Sequence, residues 1–437
     1  MESKKKVPTL NKVAYGIGTG GGCIFNQIAA AFLLNYYTDT VLIGAGAIAT
    51  MFLVCRIFDG VTDLVMGGIV DKTSSRLGKA RPWLIASAPL TLLGIVLLMN
   101  VPAGLGETGK LAYAYITYIF MSCIVYTIYG ISNTALLPLM THDKNESTML
   151  ATFSALGNNI IGLLAGSLIT PLVLNFGWKT SSVILGSAAC VLILISGLLN
   201  KEMESMEEGR QRASVPMSEQ LPATLKNKYF WLLLLLGAFS LIMNANAIGA
   251  QIFYCNMVLK NPMFMSVLMT AGQLPGIFIL FLMPAISKKW NKKTFLLMGA
   301  VLIIVGFVIT GLVGENTTMI VVGTVIRSLG VGPILSAVFA LIPDVVEYGN
   351  WKFGIRSEGL ISSAQSIGSK IGIGVGSALT GWILAAVGYN PVAGPTQAVI
   401  HAVKFDYTWM GAILGIIILI IVLLLDVEKY TDQYNKD

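Results

Sequence analysis

Asp59 and Asp63 stand four residues apart in the otherwise apolar run RIFDGVTDLVMGGIV, which begins at Arg56. On a helix that spacing puts both carboxylates on one face. Charge is costly inside hydrocarbon, so a carboxylate there marks a functional site by default. Two that close repel unless a cation or a proton sits between them. Asp59 and Asp63 are therefore where the chemistry is expected, with either a cation or a proton between them. The competing reading is a static salt bridge between Arg56 and one acid, although one guanidinium cannot neutralise two carboxylates.

The rest of the chain must hold such a pair in lipid. Of 437 residues, 55% are hydrophobic and 12% charged, and mean hydropathy is +0.75, whereas soluble domains carry about 25% charged residues. The 46 glycines suit close helix packing in a bilayer. Apolar runs long enough to cross are predicted at 14–38, 42–70, 82–101, 111–138, 148–175, 179–199, 229–257, 263–286, 294–313, 317–343, 357–387 and 406–426. These twelve transmembrane helices make an all-α integral membrane protein. The hydrophilic insertion divides them six and six. It predicts an N-terminal six-helix bundle at 1–200, a cytoplasmic middle loop at 201–228 and a C-terminal six-helix bundle at 229–437. That is the plan of the major facilitator fold, whose substrate site lies near the midplane between the halves. A weak internal repeat agrees: the basic loop from Lys72 to Arg81 recurs as SKKWNKK, Ser287 to Lys293.

Of the 29 Lys and Arg, 22 fall at the termini and in the loops after even-numbered spans. Lys110, Lys179, Lys260 and Lys404 lie on the other side, and Arg56, Arg327 and Lys370 lie within spans. The positive-inside rule then puts both termini in the cytoplasm of a multi-pass protein of the cell membrane. It also explains the net charge of +7 without a nucleic-acid partner. Lys4, Lys5 and Lys6 read as a retained anchor, with no cleavable signal pattern before the first span. Cys23, Cys55, Cys123, Cys190 and Cys255 all fall inside apolar spans, where thiols act as packing residues. No nucleophile elbow, triad or metal cluster supports an enzyme, and no cofactor is expected beyond a coupling ion. His142 and His401 read as loop residues, and a monomer is the default state for this architecture.

Several stretches resemble the glycoside–pentoside–hexuronide:cation symporter family, the melibiose-permease and glucuronide-permease branch of the major facilitators. They are FLLNYYTD from Phe32, FLVCRIFDGVTDLVMGGIVDKTSSRLGKARPW from Phe52, AYITYIF from Ala114 and YTIYGISN from Tyr126. DVVEYGNWKFGIRSEGL from Asp344 and AQSIGSK from Ala364 complete the set, so the likeness runs from about Tyr15 to Asp426. The resemblance implies a secondary symporter working by alternating access. It carries the cation site onto Asp59, Thr62, Asp63 and Thr127, with Thr62 where the melibiose branch has Asn. Carboxylate and hydroxyl oxygens are hard ligands that suit such an ion. Sodium is favoured, with protons or lithium as alternatives. Arg56 and Lys370 are the implied coupling residues. Lys370 either neutralises the acids when the cation leaves, letting the empty carrier reorient, or forms a permanent ion pair with them.

By resemblance, the galactoside ligands of the melibiose branch, two aspartates, a tryptophan and an arginine, fall on Cys23, Gly130, Thr134 and Ala151, and none keeps the hydrogen-bonding group. The polar residues left to line a substrate site are Asn26, Gln27, Asn35, Tyr36, Tyr126, Tyr129, Asn133, Asn158 and Asn159. The second half adds Asn244, Asn246, Gln251, Tyr254 and Gln365, and Lys370 would attract an anionic ligand. Span 7's polar residues are equally expected to be satisfied within helix packing. Gly16, Gly18, Gly20, Gly21 and Gly22 allow close helix approach or a bend. Asp71, Arg76, Lys79, Arg81, Asp344, Glu347, Arg356 and Glu358 resemble the family's cytoplasmic gate, in which charge pairs across the halves break on inward opening. The leading cargo is a glycoside or glucuronide. The missing ligands keep open an amphipathic or less hydroxylated solute, such as a steroid-like conjugate or a lysolipid. A non-transporting sensor is the remaining rival.

Overall fold

The computed structural model describes residues 6–203, 217–286, 291–355 and 357–430, and among them every regular element is helical. The first unit's helices are α1 (Thr9–Thr40), α2 (Ala45–Lys72), α3 (Arg81–Leu98), α4 (Glu107–Met140), α5 (144–176) and α6 (178–199). The remaining helices are α7 (Lys228–Val258), α8 (Phe264–Ile286), α9 (Lys292–Leu312), α10 (Thr317–Ala340), α11 (Glu358–Ala386) and α12 (397–424), all in the second unit except the first turns of α8, up to Thr270. α5 and α6 run on as one 55-residue apolar stretch, broken where Gly177 takes φ +72°. Nine described helical stretches are long and apolar enough to cross a membrane, and with the break at Gly177 and with α2 and α8 added they are consistent with twelve spans.

Helix starts follow local chemistry. Asp143 accepts from the backbone N–H groups of Asn145 and Glu146, Asn227 from Tyr229, Asn291 from Thr294 and Thr396 from Val399. These are the side chains that best satisfy a helix's unpaired first-turn donors. The twelfth helix begins at 397 rather than the expected 406. His401, Lys404 and Asp406 depress hydropathy there without breaking the helix. The tenth ends at Ala340, and the signature block forms a separate helix, Ile342–Phe353. Part of the expected middle loop is also helical, from Met217 to Lys226.

The chain divides into two compact units. One comprises Met1–Glu207, Lys260–Thr270 and Gly388–Pro395; the other comprises Glu208–Leu259, Ala271–Val387 and Thr396–Asp437. In the first, α1 lies directly against α5, because a Cβ at Gly157 would collide with the Gly16 carbonyl. Close approach is what α1's Gly16 provides. The five cysteines are free, and all but half-buried Cys190 are buried.

Candidate functional site

The first unit brings α2 and α4 together around Asp59, which is only 6% exposed. Its carboxylate accepts from Arg56 Nη1 at 3.2 Å and from the Ser122 hydroxyl at 3.3 and 3.4 Å. One turn along α2, Thr62 Oγ1 meets Thr127 Oγ1 at 3.3 Å. Asp63 follows, half-buried, on the same helix. Three of the four predicted cation ligands, Asp59, Thr62 and Thr127, thus line one seam, and Asp63 lies next to Thr62.

A local widening of α4 makes this seam. Residues Ile119–Tyr126 form a π-helical stretch, whose hydrogen bonds span five residues instead of four. Ser122 and Thr127 are five apart. On a regular α-helix they would point away from each other; on the widened turn both reach α2. No 3.6-residue pattern in the sequence singles out Ser122.

The predicted substrate residues separate into groups. Asn26 Nδ2 donates to Tyr126 Oη at 2.6 Å, and the Tyr126 ring packs beside Phe25 and Tyr129. Cys23 is buried and Gln27 half-buried on the same stretch of α1. A Cβ at Gly130 would meet open space, so this neighbourhood has room where the melibiose branch places an acid. Thr134 is exposed, but its hydroxyl bonds back to the Gly130 carbonyl at 2.8 Å. Tyr129 and the amide nitrogen of Asn133 are engaged in helix packing, while Asn133 Oδ1 is buried without a partner among the described residues. Tyr129 Oη donates to the Gly18 and Thr19 carbonyls, with its ring over Gly22. Asn133 Nδ2 donates to Thr19 Oγ1 at 3.1 Å. Tyr36 lies elsewhere: its hydroxyl accepts from the Val101 amide at 3.2 Å, and its ring packs on Trp178. At that same end, Asp39 accepts from Asn35, Thr38 and Tyr389, the last at 2.9 Å. Burial first, and then the Asp39 carboxylate, hold the Tyr389 phenol well above its ordinary pKa.

In the second unit, Lys370 is half-buried on α11. Gln365 is buried with its amide facing Gly237 of α7. Asn246 holds Asp406, a buried acid that no motif in the sequence marks. Arg327 is also buried, stacked on Phe307 and Tyr407 at 4.8 and 5.1 Å. Among the described residues, no group of three His, Cys, Asp or Glu could hold a metal ion.

The residues expected to form the gate make contacts inside each unit. Glu202, just past α6, accepts from the backbone N–H groups of Lys79, Ala80 and Arg81 at 2.7, 2.9 and 2.9 Å. Arg81 reaches back to the Gly197 and Leu198 carbonyls at 3.0 and 3.3 Å. A cavity of about 500 Å³ opens beside this loop, lined by Arg76, Lys79, Arg81, Lys201 and Glu202. It belongs to the loop after α2 and is separate from the α2–α4 seam. In the second unit Asp344 pairs with Lys292 at 2.7 Å. Asp71, Glu347 and Glu358 are exposed, and Arg356 lies outside the described residues.

The chain matches the family model for MFS/sugar transport proteins over residues 14–429. It is 28% identical to the isoprimeverose transporter of Lactiplantibacillus pentosus, covering 93% of this chain and 86% of that one. It is 29% identical to the glucuronide carrier protein homolog of Escherichia coli (strain K12), with coverage of 90% and 87%. The crystal structure of the nucleoside transporter NupG superposes with a TM-score of 0.64 at 14% identity, covering 95% of this chain and 99% of that one; that likeness concerns the fold. A match spanning nearly every helix, with whole-length relatives that are themselves carriers, makes this chain a member of the MFS/sugar transport family in its glycoside–pentoside–hexuronide branch, a membrane transporter and not an enzyme.

Proposed function

We propose that the protein is a cation-coupled symporter that imports a glycoside or glucuronide-type sugar by alternating access across the cell membrane, with both termini cytoplasmic. The observation that carries the coupling is the α2–α4 seam: Asp59 with Ser122, and Thr62 with Thr127. Sodium is the preferred ion, because hydroxyl and carboxylate oxygens arranged this way favour a small hard cation. Arg56 offsets the charge of Asp59 at 3.2 Å. The sugar class rests on relatives named as an isoprimeverose transporter and a glucuronide carrier protein homolog. Asn26 with Tyr126, beside the room at Gly130, is the neighbourhood for a hydroxylated ligand.

Uptake of a labelled sugar into proteoliposomes under an imposed sodium gradient tests this reading. Asp63→Asn is expected to abolish accumulation while the protein still folds and inserts; accumulation at the wild-type level removes the cation-site assignment.

A second reading is favoured by one observation. The positions of the melibiose branch's sugar ligands are apolar, vacant or self-satisfied here: Cys23, Gly130, Thr134 and Ala151. A pocket without paired polar groups selects against sugars held in that manner and towards amphipathic solutes. Cys23→Asp with Gly130→Asp is then expected to leave galactoside transport absent, because Thr134 and Ala151 still lack their partners. Measurable galactoside uptake by that double variant would show that two acids suffice.

A further inference from the structure

Asp406 lies in the second unit on the π-helical stretch Phe405–Met410 of α12, and only 2% of it is exposed. Its side-chain neighbours are neutral. Asn246 Nδ2 of α7 donates to its Oδ1 at 3.0 Å, and Asn246 Oδ1 in turn accepts from Thr380 Oγ1 of α11 at 3.4 Å. Asp406 forms no ion pair among the described residues. Among the described residues, none of the charged or titratable groups around it pairs with its carboxyl group, although Arg327 keeps one buried terminal nitrogen without a partner. Arg327 of α10 donates to Tyr407 Oη at 3.2 Å and stacks on that ring. Tyr254, at the end of α7, packs against Tyr407 with ring centroids 4.5 Å apart. Cys255 beside it is a buried free thiol, and Lys404 is half-buried on Asp406's own helix.

We infer that Asp406 is a proton-binding site of the carrier, holding a neutral carboxylic acid within the second unit. A buried carboxylate without a counter-charge neutralises rather than bear the cost of desolvation. The acid form gains one donor and keeps an acceptor, which suits a site offering an amide and a hydroxyl. A metal cation fits poorly. The nearest polar atom is an amide N–H, a donor, with the amide orientation assigned from the hydrogen-bond network. A sodium ion needs several converging oxygens, whereas here one carboxyl group and one hydroxyl are at hand. π-Turns recur at functional sites, and an ionisable group inside a membrane span is by default functional. The site is independent of the proposed cation ligands Asp59 and Asp63, which belong to the first unit, so it stands or falls separately from the symport reading.

Infrared spectroscopy of the full chain in lipid nanodiscs at neutral pH tests it without any transport measurement. The difference between wild type and Asp406→Asn is expected to show the loss of a carboxylic-acid carbonyl band that shifts in heavy water. Loss of the carboxylate stretching pair instead overturns the inference. Should Asp406→Asn fail to insert, Asn246→Leu keeps the acid and removes its donor, and the acid band is expected to move to higher frequency. Carboxylate bands in place of that shift overturn the inference equally. Asp59→Asn is expected to leave the acid band in place; its disappearance there would assign the proton to the first unit. Exchange of sodium for potassium is expected not to move the band, and a sodium-dependent loss would make Asp406 a metal ligand and end the proposal.

Discussion

Each unit ties the start of its third helix to the chain that leaves its sixth, and the two closures use different chemistry. In the first unit Glu202 takes three successive backbone N–H groups at the start of α3, and Arg81 takes two carbonyls at the end of α6. In the second unit Glu428 takes the N–H groups of Lys292 and Lys293 at 2.9 and 3.1 Å, and Lys293 Nζ takes the Leu423 carbonyl at 2.9 Å. Both are reciprocal clasps. An acid meets the positive end of one helix dipole while a base meets the negative end of another. The first relies on a planar guanidinium and backbone donors. The second uses an ammonium and surrounds it with ion pairs, Lys292–Asp344, Lys293–Asp426 and Lys429–Asp426. A fork-shaped arginine fixes geometry, whereas ammonium pairs near water are weaker and screened by salt. The first clasp should therefore be stiffer, and the second more sensitive to ionic strength.

Glu202→Ala gives the largest expected effect. It strips a charged acceptor from three amides, a loss of about 2–4 kcal/mol. It should appear as a lower thermal-unfolding midpoint in detergent and faster hydrogen exchange at residues 79–81. Exchange unchanged at those amides would mean water replaces the carboxylate without loss, and the clasp would be ornamental. Glu428→Ala removes an acceptor from two amides, while the neighbouring ion pairs remain. Its expected cost is about 1–3 kcal/mol, and unlike the Glu202 variant's it should depend visibly on salt, since the remaining contacts are ion pairs. Equal costs with equal salt dependence would erase the distinction between the units.

The basic halves of these clasps are legible in the sequence, and the acidic halves are not. The loop from Lys72 to Arg81 and its echo at Ser287 to Lys293 stand out because charge is rare in this chain. Glu202 and Glu428 sit in charged tails where an acid carries no pattern, and nothing local says which amides it will meet. The same limit governs the site. Asp59 and Asp63 announce themselves as charges in an apolar run, and Thr127 comes with the family resemblance. Ser122 reaches Asp59 only because α4 widens there, which side-chain periodicity does not encode. Tyr129 and Asn133 read as lining residues because they are polar on a helix of the right span. The glycines of α1 draw that helix close enough to consume them. Asp406 escapes notice because a lone acid near the start of α12 resembles the edge of a span, and the helix starts earlier than hydropathy suggests.

The first clasp has a further dependence with no described counterpart in the second. Gly78 adopts φ +110°, a conformation that side chains rarely take, and a Cβ there would collide with the Glu202 carboxyl group. Gly78→Ala should therefore act twice, by backbone strain and by pushing Glu202 off its amides, at a cost of about 1–3 kcal/mol. The second action is absent once Glu202 is gone. In a double-mutant cycle, Gly78→Ala with Glu202→Ala is expected to cost about 1 kcal/mol less than the sum of the single changes, within the range seen for residues in contact. Strict additivity would mean that Gly78 serves only the turn, and that Glu202 finds its amides by another route. Coupling of the expected sign would make Gly78 and Glu202 one device, with the glycine retained to leave room for the acid.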